Sequence, residues 1–176
     1  DDFSTFTLRL INEIEILTHL KPSDSQRQSK VSFDVKPARA SHAPSVKSLG
    51  ITGQLTGSRS DLVIADDVES ANNSATMGMR DKLSEQVKEF ESILKPQGRI
   101  IFLGTMQTEM SLYNVLPTRG YKQRIWTARY PTKKQVSNFG KILAPFIRNT
   151  WNDDIIGKPT DAERFDEEDL FKRQLS

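Results

Sequence analysis

Asp61-Leu62-Val63-Ile64-Ala65-Asp66-Asp67-Val68-Glu69 is an apolar run that passes straight into carboxylates. A run without polar alternation predicts a strand covered on both faces, as in the inner strands of a parallel α/β sheet. Ligands of such sheets collect at the carboxyl ends of the strands, where Asp66 and Asp67 fall. One carboxylate there can hold a hard cation with its phosphate oxygens while a second orients an attacking water. That is the Walker B arrangement. Acidic residues also close many ordinary strands, so the flanking sequence has to decide.

A second apolar run, Ile100-Ile101-Phe102-Leu103, ends at Gly104-Thr105. Between the two lies a polar loop from Ser70 to Thr76 and then a helical stripe at Leu83, Val87, Phe90 and Leu94, closed by Pro96-Gln97-Gly98. Strand, helix and strand make a βαβ unit, which predicts parallel pairing and puts Thr105 at the same sheet edge as Asp66. Upstream, Phe3, Phe6, Leu10, Ile14, Leu17 and Leu20 predict one amphipathic helix on the sheet, ended by Lys21-Pro22. Residues 31–35 and 45–51 read as short strands, and Gly53, Gly57, Ser58 and Arg59 as a link. His42 reads as a solvated loop residue. Downstream, a short helix is expected at 112–116, an edge strand at 123–130, a helix at 142–147, and a last helix bearing Phe165, Leu170 and Phe171.

The 176 residues suffice for one domain with a real core. No cysteine is present and the two histidines are not spaced as ligands, so any metal must be held by oxygen. No run is long enough to cross a bilayer, and no amino-terminal export signal is seen, which predicts a cytoplasmic protein without a membrane partner. Net charge is +2 but uneven. Residues 152–176 hold eight acidic and four basic side chains. No acid occurs between Glu109 and Asp153, a stretch holding Arg119, Lys122, Arg124, Arg129, Lys133, Lys134, Lys141 and Arg148. A polyanion is a natural neighbour for it. Tyr121, Trp126, Tyr130, Phe139, Phe146 and Trp151 are interleaved there, either as part of a surface tracking a phosphate backbone or as core aromatics under a solvated face. No Walker A loop exists: Gly140-Lys141 and Gly157-Lys158 lack the upstream glycine and are followed by Ile142 and Pro159. The chain starts without Met and stops within a helical pattern, which predicts a piece of a longer protein.

Gly50-Ile51-Thr52-Gly53-Gln54-Leu55-Thr56-Gly57-Ser58-Arg59-Ser60-Asp61 precedes the acidic strand, and Asn73-Ser74-Ala75-Thr76, Gly104-Thr105-Met106-Gln107-Thr108-Glu109 and Arg119-Gly120-Tyr121 follow it. Together these closely resemble the large terminase subunit of short-tailed phages, the motor that packages DNA into capsids. The resemblance implies an additional-strand P-loop NTPase fold of α/β class, a mainly parallel sheet flanked by helices and incomplete at its amino end. Residues 1–150 would be the partial ATPase domain, and 151–176 an acidic segment leading toward a nuclease domain of the ribonuclease H type.

The resemblance further implies ATP and Mg²⁺ as cofactors. Double-stranded DNA, the procapsid portal protein, the small terminase subunit and a homo-oligomeric ring are the implied partners, in the host cytoplasm with transient docking on the procapsid. By position, Asp66 would hold Mg²⁺ and Thr105 would lie in the coupling motif. Most relatives follow the Walker B Asp with Glu, whereas this chain has Asp67 there and Glu69 two places on; either could activate the water, and Asp67 is favoured. Arg59 would be an arginine finger reaching a neighbouring subunit, or would pair with Asp61. Lacking a phosphate loop, these residues alone are expected to be inactive. Alternatives are a domain that binds DNA or a partner without hydrolysis, a helicase-like ATPase, and, least favoured, an acidic metal nuclease.

Overall fold

In a computed structural model of the protein, the central apolar run lies in a seven-residue strand, β3 (Ser60–Asp66), and the second run in β4 (Leu94–Leu103). The structure describes residues 2–53, 55, 57–106 and 108–175, with side chains described from Phe3 onward. Two short strands precede this pair, β1 (Ser32–Phe33) and β2 (Val46–Lys47), which are antiparallel to each other. The helices in chain order are α1 (Asp2–Glu13), α2 (Ala71–Ser74), α3 (Met77–Ser92), α4 (Leu112–Val115), α5 (Lys133–Phe139), α6 (Pro145–Thr150) and α7 (Glu167–Leu175). The architecture is mixed α/β, with a parallel sheet flanked by helix.

β3 and β4 are parallel, as the βαβ pattern predicts, with Val63 opposite Ile100, Ala65 opposite Phe102 and Asp66 opposite Leu103. Thr76 starts the connecting helix by accepting the Met79 amide at its hydroxyl, an N-cap that satisfies an otherwise orphaned donor. Leu83, Val87 and Phe90, spaced by four and three residues, are buried. The Phe90 ring stacks on Phe102 with centroids 5.9 Å apart. One face of the sheet is thereby sealed.

The other face corrects the expectation of burial on both sides. Leu62, Ile64, Ile101 and Leu103 are 47%, 46%, 43% and 49% exposed. A pleated strand sends alternate side chains to opposite faces, and α3 covers only one of them. β4 also begins earlier than expected. The helix ends at Ser92, Leu94 opens the strand opposite Ser60, and Pro96-Gln97-Gly98 bulges out before pairing resumes at Leu62 and Arg99. Gln97 adopts φ +68° there.

Other elements are shorter than the periodicity implied. The first helix stops at Glu13; Ile14 is extended and a 3-10 helix covers Glu15–Leu20. Among its described side chains Ser4 and Ile11 are buried, while Phe3 and Phe6 stay more than half exposed. It packs beside β1, where Ser4 Oγ donates to Val31 O at 3.4 Å, rather than on the parallel sheet. His42 is exposed, as expected of a loop residue.

The chain divides into two compact units, one ending at Asn114 and one starting at Val115. In the second, Leu143, Ala144 and Ile147 form a core packed by Tyr130, Val136 and Phe139. The expected strand at 123–130 is reduced to single bridges, Ile125 with Leu143 and Arg129 with Pro159. The helix expected at 142–147 is displaced to α6, because Pro145 suits the first turn of a helix and not its interior. The last helix, α7, carries Leu170, which is buried, and Phe171, but Phe165, expected on it, lies in a bend ahead of it.

Candidate functional site

The carboxyl edge of β3 and β4 collects three of the residues singled out from sequence. Asp66 is the last residue of β3 and is exposed. Asp67 follows at φ +43°, a left-handed conformation that Asp tolerates better than most residues because its short side chain can bond locally. Its amide still donates to Leu103 O at 3.0 Å, so the ladder runs one residue beyond the strand. Thr105 lies two residues past that carbonyl and is exposed. Asp66, Asp67 and Thr105 thus share one solvent-open edge. Two carboxylates in this setting suit the outer shell of a small divalent cation, which keeps much of its water. No group of three metal-ligating side chains occurs among the described residues. Gln54, Thr56 and Gln107, which belong to the stretches that carry the resemblance, lie outside the described residues.

Glu69 is turned the other way. It is 4% exposed, and its Oε2 accepts from Ser111 Oγ at 2.7 Å and from the Leu112 amide at 2.7 Å. Its Oε1 is buried without a hydrogen-bond partner. Ser111 is fully buried and accepts the Tyr113 amide at 3.3 Å. The Tyr113 hydroxyl donates to Leu103 O at 3.1 Å, the same carbonyl that Asp67 uses. Burial raises the Tyr113 pKa above its ordinary value, and the charges of Asp67, Glu69 and Asp66 push the same way against the opposing Glu69 backbone amide. Sequence reasoning missed Ser111 and Tyr113, since nothing local marks a residue that packs on a strand end.

Arg59 is not part of this edge. It precedes β3, so seven rises at about 3.3 Å each, roughly 23 Å, separate it from Asp66 along the strand. Its guanidinium donates to Ser92 O at 3.2 Å and Ser58 O at 3.4 Å. The pairing with Asp61 is not seen; Lys95 Nζ occupies Asp61 Oδ2 at 2.7 Å instead. Arg59 remains exposed.

No family model matches the chain. A large terminase subunit of Enterobacteria phage T3 is 52% identical over 179 aligned residues, which take in 98% of this chain. Over that span the chain matches a fragment of a large terminase subunit. It spans about 30% of the length of that relative.

The basic stretch divides into two kinds of residue. Arg129 is a structural tie, donating to Gly157 O at 2.8 Å and to Glu167 at 2.6 Å. Tyr130 and Phe139 pack on the second core, and Trp151 Nε1 donates to Pro131 O at 2.7 Å. Those positions follow the core-aromatic expectation. Lys122, Arg124, Lys133, Lys134, Lys141 and Arg148 are exposed, and so are Trp126 and Phe146, at 67% and 59%. No helix is long and apolar enough to cross a membrane among the described residues.

Proposed function

We propose that this chain supplies the cation-holding and coupling edge of a phage DNA-packaging ATPase with the additional-strand P-loop NTPase fold. The observation that carries the reading is the convergence of Asp66, Asp67 and Thr105 on one open edge, in a chain 52% identical to a large terminase subunit. Asp66 would hold Mg²⁺ through its water shell, and Mg²⁺ when bound supplies charge neutralisation at the β- and γ-phosphates of ATP. Asp67 would orient the attacking water; Glu69, buried and doubly bonded, is the alternative. Thr105 would pass the state of the site to the moving parts. Arg59, exposed and remote from its own edge, would serve a neighbouring subunit of a ring.

The exposed lysines and arginines of the second unit would follow the backbone of double-stranded DNA of any sequence. A portal protein, a small terminase subunit and a downstream nuclease domain complete the proposed assembly, in the host cytoplasm on the procapsid. These 176 residues contain no phosphate loop, so the chain by itself is expected to bind DNA or partner without hydrolysing nucleotide.

The test is ATP turnover by the complete protein. Asp66→Asn and Asp67→Asn should each lower kcat by about 100-fold or more, the scale of losing an electrostatic or water-orienting group. Full turnover in the Asp67→Asn protein removes Asp67 from the mechanism. Mixing Arg59→Ala subunits with Asp67→Asn subunits should restore hydrolysis only if Arg59 acts between subunits.

A further inference from the structure

Residues 104–106, which include Thr105, and residues 108–110 flank contacts made by the short segment that follows β3. Just before Gly104, Leu103 O accepts the Asp67 amide at 3.0 Å and the Tyr113 hydroxyl at 3.1 Å. Just after Met110, Ser111 Oγ and the Leu112 amide both donate to Glu69 Oε2 at 2.7 Å. The Ser111 amide also closes a turn onto Thr108 O at 3.1 Å, and Asn114 Nδ2 reaches Glu109 O at 3.0 Å. Residues 67–69 therefore hold the chain just before Gly104 and just after Met110.

We propose that Glu69 is a positioning residue, not the water-activating base, and that its buried carboxylate fixes the Thr105 loop against the Asp66–Asp67 edge. A base must present a free oxygen to solvent at that edge. Glu69 is 4% exposed, with one oxygen engaged twice and the other buried. Reaching an edge-bound water would break two charge-assisted hydrogen bonds, which are about twice as strong as neutral ones. The same two bonds make it an effective clamp. With these groups joined in this way, a shift at Asp67 is carried to Leu103, two residues before Thr105, and to α4 through Glu69.

This inference rests on the ATPase reading for its catalytic consequence but not for its geometry, and the experiment separates the two. In the complete protein, Glu69→Ala should lower ATP turnover by about 10-fold or more through misplacement of the loop. Glu69→Gln keeps an acceptor oxygen for Ser111 and Leu112 and should recover turnover to within about threefold of wild type, since geometry rather than proton transfer is at stake. Ser111→Ala should fall between them. Amide hydrogen exchange at Leu112 should speed up in Glu69→Ala and stay slow in Glu69→Gln.

A base at this position gives the opposite pattern: Glu69→Gln as inactive as Glu69→Ala, Ser111→Ala active as wild type, and that result overturns the proposal. If wild-type protein hydrolyses no ATP, the ATPase reading fails alone, and exchange at Leu112 still decides the clamp. Unchanged Leu112 exchange in a folded Glu69→Ala protein sinks the clamp outright.

Discussion

Tyr113 stands where a side chain at Gly104 would have to be: its hydroxyl is the nearest atom to a Cβ placed on Gly104, with the ring carbons close behind. Gly104 directly follows Leu103, whose carbonyl accepts that same hydroxyl. The approach leaves no room for a methyl group. Gly104→Ala should destabilise the chain by about 1–3 kcal/mol, the usual cost of overpacking. Thermal melts of Gly104→Ala, Tyr113→Ala and the double variant check this. The double should be more stable than the sum of the single losses implies, because removing the ring removes the overlap.

Tyr113 also predicts an alkaline limit to stability. Its phenol is held protonated above the ordinary value of 10.0, chiefly by burial and then by nearby carboxylates. A folded-state pKa raised above the unfolded value means the folded form keeps its proton while the unfolded form loses it. The contribution is present in full below the unfolded pKa of about 10 and is lost as pH rises through the folded value. Urea unfolding followed from pH 9 upward should show the decline, and Tyr113→Phe should flatten it.

Asp67 combines a left-handed backbone with the proposed water-orienting role, and the two can be separated. Asn tolerates φ above zero as well as Asp does, whereas a β-branched residue does not. Asp67→Asn should melt close to wild type and lose ATP turnover in the complete protein. Asp67→Val should lose about 1–2 kcal/mol of stability as well, the range for backbone strain of this kind.

The two faces of the β3–β4 sheet should respond unequally to truncation. Leu83, 2% exposed under the sheet, should cost about 2–5 kcal/mol when replaced by Ala. Ile64, 46% exposed on the other face, should cost about 1 kcal/mol or less in this 176-residue chain. Comparable losses measured by denaturant unfolding would mean that the second face is covered in solution.

Within the basic stretch, Arg129→Ala should lower the melting temperature, since it loses ties to Gly157 and Glu167. Lys122→Ala with Arg124→Ala should leave melting alone and weaken DNA binding by the complete protein. The slope of log affinity against log salt should fall by about 0.9 for each phosphate that is no longer neutralised. A slope that ignores these residues removes them from the DNA path.

The sequence by itself determined the βαβ pairing, the buried stripe of α3 and the gathering of Asp66, Asp67 and Thr105 at one edge. Each follows from a local signal: an apolar run, a 3.6-residue period, or the rule that parallel strands present their carboxyl ends together. It also carried the terminase resemblance, which depends on motifs in order and not on how they meet in space. The tertiary structure decided what no local pattern encodes. Glu69 meets Ser111 across 42 residues of chain, and Arg59 meets Ser92 across 33. Both partners are chosen by where a helix and a loop return to the sheet. Glu69 reads as an edge acid in the sequence for that reason and lies buried in the fold. The open face of the sheet has the same origin: an unbroken apolar run states that both faces can be covered, and only the position of α3 determines which one is.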